Sequence, residues 1–316
     1  MSGPGIATEA WLRAVFDSEV CGDLFAVHSP PAGQPALVLL GGQPAAGKTQ
    51  AQDAILAERP GLVPITGDDL RAYHPDYDRL TVEDPFGMPA ATAPVSGGLV
   101  RLALDHALAG GYSALLEGTF RDPAVVDATA ERFAAAGYRV EVVAIGTPDP
   151  VSRLGAEQRF LGAAAPRGAR WTPPEAHEAA AAGAPATVAA LEASPSVTRI
   201  QVRSRDRILY DNTRLADGAW EGGPGAAAAF KAEQARSLDP AQASAWLAAY
   251  AWVFEAARSR PGYLNQQTIP AYRRLQGDAE TVITIVAAND SCVDPEELLH
   301  AQRRRAIILE TAALAS

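Results

Sequence analysis

The apolar run Ala36-Leu37-Val38-Leu39-Leu40 leads directly into Gly42-Gln43-Pro44-Ala45-Ala46-Gly47-Lys48-Thr49, which fits GxxxxGK[ST]. Few short patterns restrict a fold as much. A continuous apolar run of that length predicts a strand buried on both faces. The glycines let successive backbone N–H groups face an anion, and a helix beginning at Lys48 turns its positive end to the same point. Strand, loop and helix in this order open a β-α-β unit of a parallel sheet. The chemistry they suit is nucleotide binding by residues 42 to 50, from Gly42 to Gln50, with Lys48 reaching the β- and γ-phosphates and Thr49 placing its hydroxyl on Mg²⁺. Lys48 and Lys231 are the two lysines of the chain, so the motif does not arise from a lysine-rich background. An ordinary glycine-rich turn is the alternative.

Composition narrows the partners. With 316 residues, 48% of them hydrophobic, the chain can bury a large core, as one α/β domain with additions or as two domains. A formal net charge of −10 gives no general attraction to nucleic acid or to an anionic membrane. The excess of arginine over lysine is accounted for by genomic base composition, given the many alanines. Cys21 and Cys292 are too few and too far apart for a metal or disulfide framework, and the five histidines show no HxH or HxxxH pairing that would mark a zinc site. No basic start followed by an apolar stretch marks an export signal, and no apolar run reaches membrane-spanning length. These signs predict a cytoplasmic protein without nucleic-acid or membrane partners.

Along the chain, Thr8 to Val20 places Trp11, Leu12, Val15 and Phe16 on one helical face with Thr8 as N-cap, a helical leader within residues 1–33. Lys48 to Glu58 reads as a helix and Leu62 to Thr66 as a strand. Residues 76 to 98 carry Pro85, Pro89, Pro94, Gly87, Gly97 and Gly98 and read as an irregular loop, either a substrate-facing lid or a surface excursion. A helix over Leu99 to Ala109 follows, then a strand over Tyr112 to Leu116, a helix from Pro123 capped by Asp122, and a strand over Tyr138 to Ile145. Thr147-Pro148 opens a further helix, an exposed basic loop spans Pro166 to Trp171, and an alanine-rich helix starts at Pro173 or Pro174. Strands at Val197 to Val202 and Ile208 to Tyr210 complete the alternation. This is an α/β fold of the P-loop kinase type over residues 34–217, a mainly parallel sheet covered by helices on both faces. Residues 226–316 read as helices alone, a C-terminal helical appendage.

Phosphoryl transfer needs a phosphate cradle, a magnesium ligand, a base for the acceptor and cations around the moving group. Thr66-Gly67-Asp68-Asp69-Leu70-Arg71-Ala72-Tyr73-His74 lies where the second parallel strand ends, at the edge where open α/β sheets bind ligands. A carboxylate there can take the proton of an acceptor hydroxyl, or Asp68 or Asp69 can cap a helix. Glu117-Gly118-Thr119-Phe120-Arg121 leaves the sheet at the same edge and offers groups to orient a polyhydroxyl substrate; an ion pair between Glu117 and Arg121 is the plainer alternative. Arg159 in a helix and Arg167 and Arg170 in the basic loop are candidate cations over the phosphates.

In this order the segments GQPAAGKT at 42–49, GDDLRAYHP at 67–75, EGTFR at 117–121, Glu157-Gln158-Arg159-Phe160 and GARWTPPEAH at 168–177 resemble the zeta toxin family of P-loop kinases, the toxic halves of epsilon/zeta toxin–antitoxin pairs. The resemblance covers roughly residues 36 to 215. It implies ATP- or GTP-dependent phosphorylation of the 3′-hydroxyl of the amino sugar in UDP-N-acetylglucosamine. It also implies a small helical antitoxin as partner. By motif position Asp68 is similar to the family's base and Lys48 to its phosphate-binding lysine. Glu117, Thr119 and Arg121 resemble its substrate-site residues, with Arg71 and His74 in the motif beside the base, and Arg159 and Arg170 resemble its phosphate-clamping arginines. A departure falls at Arg101, where counting back from EGTFR finds the position of a glutamate in the family's substrate pocket. Reversing charge at a sugar contact changes which acceptor fits. Two other readings therefore stay open: a kinase for an antibiotic or an NAD-like acceptor, and a protein-binding module stabilised by nucleotide.

Overall fold

The computed structural model describes residues 7–162, 170–289 and 294–315. In chain order it contains α1 (Glu9–Val15), a π-helical turn (Phe16–Val20), α2 (Cys21–Phe25), β1 (Ala36–Gly41), α3 (Lys48–Glu58) and β2 (Val63–Thr66). There follow a 3₁₀ turn (Asp69–Tyr73), α4 (Tyr77–Glu83), α5 (Met88–Gly110), β3 (Ala114–Gly118), α6 (Pro123–Ala135) and β4 (Arg139–Ile145). The rest is α7 (Asp149–Leu161), α8 (Pro174–Ala193), β5 (Arg199–Arg203), β6 (Ile208–Thr213), α9 (Ala226–Gln234), α10 (Pro240–Ser259), α11 (Ile269–Asn289) and α12 (Pro295–Ala315). Packing groups these into two units, Met1–Gly146 with Ala179–Glu233, and Thr147–Glu178 with Gln234–Ser316.

The first unit is built on a six-stranded sheet of order β2-β3-β1-β4-β5-β6, parallel except for the antiparallel β6. Every residue of β1 is buried. Its alternation divides the core: Leu37 and Leu39 join a large cluster with Leu99 of α5, Phe133 of α6 and Val188 of α8, while Val38 and Leu40 join a smaller one with Ile55 of α3. Helices therefore cover both faces, as the continuous apolar strands require. Each such leucine contributes about 2 kcal/mol by leaving water. The chain leaves β1 through α3 toward β2 on one face and leaves β3 through α6 toward β4 on the other, so the connections from these adjacent strands part to opposite faces at their carboxyl ends. Such a divergence opens a crevice at the sheet edge.

Residues 76 to 98 are not an irregular loop. They form α4 and the first turns of the 23-residue α5. Pro89 sits at the first positions of α5, where its missing N–H costs nothing, and Pro94 is accommodated within the helix. Gly98 faces α1: a Cβ there would lie 2.4 Å from Leu12 Cδ1. The leader is helical from Glu9 and continues past Val20 to Phe25, with Thr8 Oγ1 accepting from Trp11 N at 3.3 Å. Leu12, Phe16, Val20 and Phe25 are buried in the main cluster, so this leader is part of the core.

In the second unit, α7 packs on α10 and α11. Trp246 Nε1 donates to Pro150 O at 2.9 Å, Arg153 is paired with Asp278, and Tyr263 Oη donates to Glu157 Oε2 at 2.7 Å. Burial pushes the Glu157 carboxyl pKa up. Rings of Trp246, Tyr250, Phe254, Tyr272 and Tyr263 follow one another with centroids 5.4 to 6.3 Å apart. Of the loop expected to be exposed from Pro166 to Trp171, residues 166–169 lie outside the described residues and Trp171 is buried, its ring supplying apolar area that the basic neighbours concealed in the sequence.

Candidate active site

The loop after β1 takes a shape that few residues tolerate. Gly47 has φ +105 and Ala45 φ 58, and a Cβ at Gly42 would stand 2.6 Å from Ile145 O. Gly42, Gln43, Pro44 and Ala46 are buried, Ala45, Gly47 and Lys48 half-buried, and Thr49 and Gln50 exposed. α3 begins on Gly47 with no side-chain cap and no acidic residue in its first turn. The positive end of its dipole is thus not offset by an acidic side chain in that turn and favours an anion at the loop. Lys48 Nζ donates to Gly42 O at 2.9 Å and Gln43 O at 3.1 Å, and lies 3.4 Å from Glu117 Oε1. A Cβ at Gly41 would meet the Phe120 ring at 2.1 Å, so the bare end of β1 makes room for the turn that follows β3.

Register places the candidate groups on one edge. Glu117 of β3 pairs with Leu40 of β1 on one side and with Thr66 of β2 on the other. Asp68 leaves the sheet two residues after Thr66, about 10 Å or two strand spacings from β1. It occupies the N-cap position of the 3₁₀ turn but makes no cap bond; its carboxylate instead accepts from Arg71 Nε at 3.0 Å. Arg71 is fixed by further bonds from Nη1 to Pro89 O at 2.8 Å and Thr92 Oγ1 at 2.6 Å. Ser96 Oγ ties Gly67 O at 2.5 Å, and Thr66 Oγ1 reaches Gln52 Oε1 at 3.3 Å. Desolvation, then the neighbouring Asp68 charge, push the Asp69 pKa up. His74 is buried, with Nδ1 accepting from Asp76 N at 3.1 Å, and burial holds its pKa below the ordinary value.

The remaining candidates lie on the turn after β3, on α5 and in the second unit. Thr119 is half-buried and Arg121 exposed on the turn after β3. Arg101 is engaged in a charge network on the surface of α5: it pairs with Glu9 of α1 and, at 3.4 Å, with Asp105, which also binds Arg132 at 2.7 Å. Arg159 and Arg170 belong to the second unit. Arg159 Nη2 donates to Thr172 Oγ1 and Arg170 Nη1 to Trp171 O, both at 3.4 Å. Arg167 lies outside the described residues. One contact escapes motif reading: Arg205, in the turn between β5 and β6, donates from Nη2 to Ala45 O at 2.7 Å. Its only sequence signal is its place just past a strand that ends at the same edge.

A parallel sheet with a phosphate loop between β1 and α3, and candidate side chains at its carboxyl edge, defines an α/β protein of the P-loop kinase class. More narrowly, the chain belongs to the zeta toxin family, which it matches over residues 23–214. It is 30% identical over 191 residues to Toxin zeta of Enterococcus hirae, covering 59% of this chain and 65% of that relative. It is 33% identical over 185 residues to Toxin PezT of Streptococcus pneumoniae serotype 4, covering 57% of this chain and 72% of that one. In fold it is similar to a chain from the PezAT chromosomal toxin–antitoxin system of Streptococcus pneumoniae, with TM-score 0.64 and 24% identity over 79% of this chain and 97% of the other. A chain of the AvrRxo1-ORF1:AvrRxo1-ORF2 complex with ATP gives TM-score 0.54 at 16% identity, over 98% and 90%. Among the described residues no helix is long and apolar enough to cross a membrane.

Proposed function

We propose that this chain is a nucleoside-triphosphate-dependent kinase acting as a toxin. It transfers the γ-phosphate of ATP or GTP to a sugar hydroxyl of a nucleotide sugar, the 3′-hydroxyl of the amino sugar in UDP-N-acetylglucosamine. The observation that carries this reading is the shared edge: Lys48 reaches Glu117, Glu117 is in register with Thr66, and Asp68 follows two residues later. Phosphates over the loop and an alcohol at Asp68 thereby face each other. Asp68 accepts the hydroxyl proton while the oxygen forms its bond to the γ-phosphorus and the bond from that phosphorus to the departing diphosphate breaks. Lys48 and the loop N–H groups hold the charge that shifts onto the diphosphate. Arg71, anchored on α5, sets the orientation of the Asp68 carboxylate, and Glu117, Thr119, Arg121 and His74 form the acceptor side. In this reading Arg159 and Arg170 neutralise the moving phosphoryl group, as the family resemblance implies. Thr49, exposed in the first turn of α3, would offer its hydroxyl as a ligand to Mg²⁺, which would supply positive charge to offset that of the phosphates. The partner that fits this role is a small helical antitoxin, and residues 34–217 are the segment that carries the chemistry.

The test is mass spectrometry after incubation with ATP, Mg²⁺ and UDP-N-acetylglucosamine. A mass gain of one phosphate on the sugar nucleotide is expected, and Asp68→Asn should lower the rate by about 10²- to 10⁴-fold with nucleotide binding little changed. Equal turnover by Asp68→Asn would remove Asp68 as the base. A phosphate gained only by another alcohol in a metabolite extract would move the acceptor, the outcome that the engagement of Arg101 by Glu9 makes worth measuring.

A further inference from the structure

The phosphate loop is gripped at two places. Lys48 holds its first half through Gly42 O and Gln43 O. Arg205 holds the second half. Its Nη2 donates to Ala45 O at 2.7 Å, and its side chain passes Gly47 so closely that a Cβ there would lie 3.1 Å from Arg205 Cγ. The turn that presents it is tied down: Ser204 Oγ donates to Asp206 Oδ1 at 2.6 Å and Ser204 N to Arg207 O at 2.9 Å.

Ala45 needs such a grip. Its φ of 58 lies in the left-handed region, where a Cβ crowds the following carbonyl, and a non-glycine residue stays there when its surroundings fix it. The peptide between Ala45 and Ala46 is fixed at both ends, its oxygen by Arg205 and its N–H by Gln43 O at 3.2 Å. Loop N–H groups converge on an anion only while successive peptide planes keep their orientation. The three donors of Lys48 are the ones an incoming polyphosphate claims. Arg205 works through a loop oxygen instead, so its hold does not depend on how Lys48 shares its protons.

We propose that Arg205 is a positioning residue for nucleotide binding: through the Ala45 carbonyl it keeps the loop in the left-handed conformation that aims its N–H groups at the polyphosphate of a nucleoside triphosphate. This rests on the nucleotide-binding reading given above. Two measurements on the full chain test it. In titrations with a fluorescent ATP analogue and Mg²⁺, Arg205→Ala should weaken affinity about tenfold or more, the effect of losing one charged hydrogen bond. Adding Ala45→Gly to Arg205→Ala should recover much of that loss, because glycine adopts positive φ without a Cβ. A loss caused by the missing positive charge alone is not repaired by glycine, so absence of rescue overturns the proposal, as does unchanged affinity. Independently of nucleotide, amide hydrogen exchange across residues 43–47 should quicken in Arg205→Ala. If wild type takes up no analogue, the nucleotide reading fails, and unchanged exchange in those residues overturns the role of Arg205 by itself.

Discussion

His177 is 3% exposed, with Nε2 3.0 Å from Ser152 Oγ and Nδ1 3.4 Å from Glu178 Oε1 without hydrogen-bond geometry. Burial is the main cause that lowers its pKa to about 4 from an ordinary 6.5, and Arg153 and Arg274 oppose the pull of Glu178. Above pH 6.5 the ring is neutral in the folded and the unfolded chain alike. As pH falls from 6.5 toward 4 the unfolded chain takes up a proton that the folded one refuses, so stability is lost across that window and levels off below it. Relative to His177→Asn, wild type should lose up to about 3 kcal/mol there, read by urea unfolding at a series of pH values. A parallel pair of curves would remove His177 as the cause. The same residue shows why chemistry-bearing side chains are hard to sort in sequence: His74 and His177 both fall in motifs of the resemblance, yet one ends the turn that Asp68 opens and the other is buried inside the helical unit.

At the scale of elements, the strands were legible because burial on both faces leaves continuous apolar runs, and the phosphate loop because glycine and lysine are forced at fixed places. α5 was harder. Proline and glycine before Leu99 read as breaks in the sequence, yet Pro89 occupies the start of the helix and Gly98 is the small residue on which Leu12 sits. Local composition cannot distinguish a glycine that frees a backbone from one that admits a neighbour. Gly98→Val tests this: it should displace the leader and cost about 1 to 3 kcal/mol by overpacking, measured as a lower urea midpoint with unchanged slope. Recovery in the pair Gly98→Val with Leu12→Ala would locate the strain between those two residues, and an unshifted midpoint for Gly98→Val would refute the contact. The candidate site divides in the same way. Lys48 and Asp68 followed from motif and strand end, whereas the pairing of Arg101 with Glu9 and of Arg205 with Ala45 joins segments far apart in the chain, which no local pattern records.

On the scale of the whole molecule, the helical run after residue 226 was visible from its lack of strand signals. What sequence does not carry is that residues 147–178 pack with residues 234–316. α7, which bears Arg159, depends on that packing through Trp246 to Pro150, Asp278 to Arg153 and Tyr263 to Glu157. Ending the chain after Glu233 should therefore expose the apolar side of α7 and abolish phosphotransfer, with aggregation or protease cleavage within residues 147–178 as the physical readout. A truncated protein that stays soluble, resists protease there and keeps full turnover would contradict it.

The interleaving of segments also sets an order in time. On a ribosome adding about 5 to 20 residues per second, the stretch holding Arg159 and Arg170 emerges several seconds before α10 and α11, the helices against which it packs. A nascent chain can thus close its sheet and phosphate loop while the segment bearing both arginines is still waiting for its partners. In the toxic kinase proposed above, synthesis itself would then act as a delay, with catalytic competence arriving only once the C-terminal helices have been translated.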